Sequence, residues 1–228
     1  MDILHMILLL AAAALWVGLH VGVAGTRLRD TAVARLGGEG RFTLLFSVGS
    51  VVSITLLVMA WQNAPFILLW QVPGWLRWLI ALAMWPAFIL FVASVTAPNP
   101  TAVAGKMEGM PRGITRITRH PMLWSFAIWA GAHGLGNGDL ASLVFFGAFL
   151  LTAGLGMPSI DSKIARRDPA LWEKLSKQTS IMPFGAIFSG RMTADFYEIG
   201  WVPPVVGTVA WLALLMFHRL IFGVPAVI

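Results

Sequence analysis

The chain has 228 residues, 58% of them hydrophobic and only 11% charged, which excludes an ordinary soluble domain and indicates an integral membrane protein. Its net charge of +6 sits in the loops between apolar runs, so it reads as a topology signal and not as a nucleic-acid surface. There is no cysteine, which removes disulfides, thiolate nucleophiles, iron–sulfur clusters and thiolate-ligated haem.

The first predicted span is Ile3–Val23, apolar except for His5 and His20. It lacks a basic leader region and is expected to be retained as a span. A basic loop follows, with Arg27, Arg29, Arg35 and Arg41 against Asp30 and Glu39. The second span is Phe42–Trp61, where Ser47, Ser50 and Ser53 recur at intervals of three; close helix packing or a pocket lining would each use such a row. An uncharged loop over 62–74 carries Trp70 near Trp61 and Trp75, residues suited to a membrane interface. Leu76–Val95 is the third span, with Pro86 inside it. Pro98, Pro100 and Pro111 make the next segment a loop, whose cations are Lys106, Arg112, Arg116 and Arg119.

The fourth span starts at Pro121, a favoured first helical residue, and reaches Leu135. GNGD at 136–139 is a tight turn into the fifth span, Leu140–Met157, so these two form an antiparallel hairpin. A polar cytoplasmic segment is expected at about 158–199, with a surface helix near Pro169–Lys177 that turns Trp172 and Leu175 inward. Gly200–Ile221 is the sixth span. Fourteen of the sixteen Lys and Arg fall in alternate loops, leaving only Arg77 and Arg219 on the other face. The expectation is one all-α domain over 1–228 with six transmembrane helices, both termini periplasmic, in a bacterial inner membrane.

The histidines carry the chemistry. His5 and His218, at the outer ends of the first and sixth spans, read as packing or interface residues. His20 and His120 fall at the inner ends of the first and fourth spans, with Arg27, Arg116 and Arg119 alongside. Imidazoles on an iron and guanidiniums on propionates would suit a haem b better than zinc or a di-iron carboxylate site, since no acidic cluster accompanies them. His133 lies deeper, in an apolar run where an ionisable group is a functional-site hypothesis by default. It is thirteen residues beyond His120, roughly 20 Å along a helix. Asn137 and Asp139 close the turn after it; an Asx-type lock of the hairpin and a reach back toward a cofactor are both open for Asn137.

Several of these pieces resemble the NnrU family of bacterial membrane proteins. They are His20 with Gly22 and Arg27, the serine row, PNPT at 98–101, GITRITRHP over 113–121, WAGAHGLGNGD over 129–139, and Trp172 with TSIMPFGAIFSGR at 179–191. The resemblance implies a link to denitrification and nitric oxide metabolism, with respiratory membrane proteins as partners. It also implies kinship with the haem b-containing 15-cis-zeta-carotene isomerase of plants and cyanobacteria, in which ligand release on reduction opens the iron for cis–trans isomerisation of a polyene. On that kinship His20 and His133 are the axial pair and the catalytic residues. The depth argument pairs His20 with His120 instead, leaving His133 apart. A non-catalytic haem carrier or assembly factor would use the same cofactor. The R-H-P start also resembles membrane methyltransferases and sterol reductases with a nucleotide-type cofactor, but Lys163, Arg166 and Arg167 weaken the acidic signature expected after Asp161.

Overall fold

Long uninterrupted runs of Leu, Val, Ala and Phe can satisfy their backbone groups in a bilayer only as helices. The structure, a computed structural model described over residues 2–96 and 111–227, is accordingly all helix apart from turns and one isolated bridge. Helix α1 (Asp2–Val17) runs on as a π-helical stretch, Gly18–Val23. The short α2 (Leu28–Leu36) leads to α3 (Glu39–Asn63) and α4 (Gly74–Thr96). A single turn, α5 (Ile114–Ile117), precedes α6 (Pro121–Asn137) and α7 (Leu140–Arg167). Two short helices, α8 (Pro169–Gln178) and α9 (Gly185–Phe188), lie before α10 (Val202–Phe222).

Among the described residues, five helices are long and apolar enough to cross a membrane: the α1 rod, α3, α4, α7 and α10. Their outward residues are large and apolar, among them Leu44, Val51, Trp78, Leu151 and Val209, so the surface of the bundle is matched to lipid. The chain is therefore a multi-pass all-α membrane protein. Helix α6, at 17 residues, is shorter, and packs between α4 and α7. The principal contacts set the neighbour order α3, α1, α7, α6, α4, α10.

Three boundaries differ from expectation. Helix α7 passes straight through Pro158 to Arg167, so the segment read as polar from about 158 begins as helix. A proline removes only its own N–H bond and crowds one carbonyl, and in a long packed helix that loss is tolerated. Helix α2 occupies part of the first basic loop, ended by Gly37 at φ +80°. The serine row divides: Ser53 is buried, Ser50 is half-buried and Ser47 is exposed. The PNPT motif, Lys106 and Glu108 lie outside the described residues.

The uncharged loop is folded back onto the α6–α7 turn. Leu69 and Trp70 both donate their N–H to the Gly138 carbonyl, Leu140 N–H donates to Ile67, and the Trp70 indole donates to the Leu135 carbonyl at 3.0 Å. Gly138 has φ +73°, and a Cβ there would overlap the Trp70 carbonyl, so the turn requires glycine. Asp139 caps α7 by accepting from Ser142 N–H at 2.9 Å.

Candidate functional site

At the end of the bundle where α6 begins, the R-H-P segment is built into a buried polar cluster. His120 is only 1% exposed, and its Nε2 donates to Asp161 Oδ1 at 2.9 Å. Arg119 pairs with the other Asp161 oxygen at 3.0 Å, donates to Thr179 Oγ1 and stacks on Trp172 at 5.1 Å. Burial pushes the Arg119 guanidinium below its ordinary range, while Asp161 works in the opposite direction. Arg119 N–H, Thr118 Oγ1 and the Trp124 indole bond to the Ser180 and Ile181 carbonyls, lacing this segment to the chain after α8. Leu175 and half-buried Trp172 of α8 turn inward as expected.

Arg116 makes a fork to Glu198, with both oxygens at 2.7 Å, and reaches Thr193. The Glu198 hydrogen bond raises the Arg116 pKa, and Arg116 in turn holds the Glu198 carboxyl below its usual range. Arg27 is exposed. Two of the three guanidiniums expected to hold propionates are thus already occupied by carboxylates from distant parts of the chain. Asp161 is likewise enclosed in an ion pair, which does not favour a nucleotide-type cofactor there.

The membrane histidines are placed differently. His20 sits in the π-helical stretch, a distortion that recurs at functional positions. The stretch is anchored to α7, where Ser159 and Lys163 donate to the Gly25 and Ala24 carbonyls at 2.6 and 2.8 Å. His20 Nδ1 donates to the Trp16 carbonyl at 2.9 Å, and Nε2 faces Ser50 Oγ at 3.4 Å. His133 repeats the arrangement: its Nδ1 donates to the Trp129 carbonyl at 2.9 Å. Both belong to a W-x-G-x-H pattern, WVGLH at 16–20 and WAGAH at 129–133. Because each acceptor is a backbone carbonyl, each Nδ1 carries the proton and each Nε2 keeps its lone pair.

His20 and His133 flank a cluster of aromatic rings. A chain of ring contacts links them: His20 to Trp16 at 3.9 Å, Trp16 to Phe149 at 5.0 Å, Phe149 to Trp129 at 5.2 Å and Trp129 to His133 at 5.6 Å. His120 has the opposite arrangement: its Nε2 is held by Asp161, and its buried Nδ1 has no hydrogen-bond partner among the described residues.

His133 instead lines a cavity of about 340 Å³ between α4, α6 and α10. This lies within the size range of small-ligand sites, roughly 300–1,000 Å³. Its walls include Met84, Phe88 and Leu214, and its polar groups are Arg77, His133, Asn137 and His218. Asn137 donates to the His133 carbonyl at 2.7 Å, so it both closes the helix and borders the cavity. His218 also lines the cavity; its Nδ1 donates to the Val224 carbonyl at 2.7 Å and its ring packs on Phe222 at 4.8 Å. Arg77 was legible only as a charge on the sparsely charged face. Among the described residues there is no group of three or more His, Asp or Glu able to hold a bare metal ion. A haem needs no such cluster, because its macrocycle brings its own nitrogens. One imidazole with an open Nε2 in an apolar cavity fits that group.

Comparison with known proteins agrees with the motifs. The family model described as NnrU protein matches residues 8–226. The 15-cis-zeta-carotene isomerase of Arabidopsis thaliana is 33% identical over 196 residues, covering 78% of this chain and 50% of that protein. The Zea mays isomerase is 28% identical, covering 95% of this chain and 61% of its own length. The chain thus spans about half to three-fifths of the curated relatives it matches. No solved structure matches it. Matched over nearly its whole length and carrying the family's histidine segments, the chain is a member of the NnrU family.

Proposed function

We propose that this protein binds haem b in the membrane and uses it for isomerase-like or redox chemistry on an apolar substrate such as a polyene. The observation that carries the reading is His133: an imidazole inside an apolar helix, its proton fixed on Nδ1 by the Trp129 carbonyl, its Nε2 left for the cavity. The similarity to the two carotene isomerases supplies the substrate class. A haem held here by His133 would supply redox-active iron chemistry toward an apolar substrate. The protein's own part is to orient the imidazole, exclude water through Met84, Phe88 and Leu214, and admit apolar substrate from the bilayer. Six passes, with the basic loops cytoplasmic and both termini periplasmic in a bacterial inner membrane, complete the reading, and the denitrification link implied by the family resemblance supports a role beside respiratory enzymes.

The test is an absorption spectrum of purified protein, oxidised and reduced, after expression with adequate haem. A sharp haem b spectrum that is lost in H133A supports the reading. A ferrous band that moves with carbon monoxide marks an opening axial position and separates an enzyme from a passive carrier. Well-folded protein without haem overturns the proposal.

A further inference from the structure

The cavity beside His133 has a polar end and an apolar end. Where α4 starts and α6 and α10 finish, its walls carry Arg77, Asn137 and His218; further along they are Met84, Phe88 and Trp211. We propose that this cavity takes a single-chain amphiphile, a long-chain carboxylate, with its head on Arg77 and its tail between α4 and α10. The inference rests on that part of the proposed function in which the cavity admits an apolar chain, and it holds with or without haem.

Three observations lead there. First, Arg77 stands half-buried in the first turn of α4, and its buried Nε has no hydrogen-bond partner among the described residues. No Asp or Glu is among the described residues that line the cavity. A cation set against apolar walls without a counter-charge is costly, and a carboxylate accepting from the guanidinium fork offsets that cost. Second, the other polar groups of the cavity spend their protons on backbone carbonyls: His133 on Trp129, His218 on Val224 and Asn137 on His133. Arg77 is therefore the group with donors to give an anion. Its single charge matches one carboxylate, whereas a phosphate monoester carries nearly two. Third, the cavity is long and thin. From Arg77 to Phe88 is eleven residues, about 16 Å along α4, and α10 lines it over the same length from Trp211 to Phe222. A volume of about 340 Å³ over that length leaves a mean section of about 20 Å², the girth of one hydrocarbon chain. The two walls are pinned together, since the Trp85 indole donates to Thr208 at 2.8 Å and the Trp211 indole to the Ala81 carbonyl at 2.7 Å.

The experiment measures binding of tritiated oleate to the purified protein in lipid nanodiscs, at mildly alkaline pH so that the head is ionised, with the haem content of each preparation read separately. Wild type should bind oleate saturably. Methyl oleate, which keeps the chain and loses the charge, should compete about tenfold less well, and Arg77→Gln should weaken oleate binding about tenfold, with Arg77→Lys intermediate. Acetate, the charge without the chain, should not compete. Met84→Trp, which fills the tail end, should weaken oleate more than octanoate, and it decides the matter if Arg77→Gln does not fold. Equal binding of oleate and methyl oleate, with Arg77→Gln unchanged, overturns the inference, as does acetate competing as well as unlabelled oleate. Haem without saturable oleate binding sinks this inference and leaves the haem reading standing; oleate binding in haem-free protein does the reverse.

Discussion

A neutral imidazole inside an apolar helix must place one proton and one lone pair. At His20 and His133 the proton goes to the carbonyl of a tryptophan four residues earlier, which leaves the lone pair to Ser50 Oγ at His20 and to the cavity at His133. The signal was present in the sequence as W-x-G-x-H occurring twice, but each copy has to be set beside the other to be seen. The arginines were legible as cations and not as ion pairs. Asp161 lies 42 residues from Arg119, and Glu198 lies 82 residues from Arg116, so no local pattern announces them. The Asp161 cluster is buried, so D161A should destabilise the fold by about 3–5 kcal/mol through the charge it strands. A lowered unfolding midpoint in detergent would show it, and an unchanged midpoint would contradict it. The Arg116–Glu198 tether gives a pH prediction. Arg116, then the Gly113 N–H, depress the Glu198 carboxyl below its ordinary 4.5. A depressed carboxyl contributes stability above its unfolded value and loses it as pH falls through the folded value. The tether is therefore complete at neutral pH and loosens only in acid below about 4.5. Tyr197, the one tyrosine of the chain, is adjacent. Fluorotyrosine at that position should show a resonance that titrates in this range and stops doing so in E198Q.

At the scale of elements, hydrophobic run length located the long helices to within a few residues, except for the C-terminal end of α7, and the surface helix α8 with them. The end of α7 and α2 were misread for a shared reason: polar residues past Met157 continue the helix to Arg167, and a polar stretch of the first loop folds as a helix against α3. The close approaches between elements were also hidden. Gly207 of α10 lies so near Ile89 of α4 that a Cβ would come within 2.9 Å of its backbone, and the Trp211 indole bonds the Ala81 carbonyl at 2.7 Å beside it. These contacts hold α10 against the cavity, as small-residue packing does between membrane helices. Gly207→Leu should force α10 away, lower the unfolding midpoint and release cofactor; retention of both would contradict the packing role. Gly138→Ala should cost about 1–3 kcal/mol, because it strains a left-handed cap and strikes the Trp70 carbonyl. Thermal unfolding of that variant measures the loss.

For the whole molecule, class and family were legible in composition and motif order. The location of the cavity was not, because it joins Arg77, His133 and His218 from three helices far apart in sequence. The charge asymmetry makes a separate topological prediction: reporter fusions at Gly38, Met107 and Ser176 should all read cytoplasmic. A periplasmic result at any of them contradicts six passes. The central claim is that this membrane bundle is built around a haem at His133. Its most direct measurement is the haem content of the purified protein by pyridine haemochrome, against protein concentration by amino-acid analysis. Equimolar haem b in wild type, and its loss from a folded H133A, is the predicted result; folded wild-type protein with no haem, or H133A retaining a full complement, would contradict it.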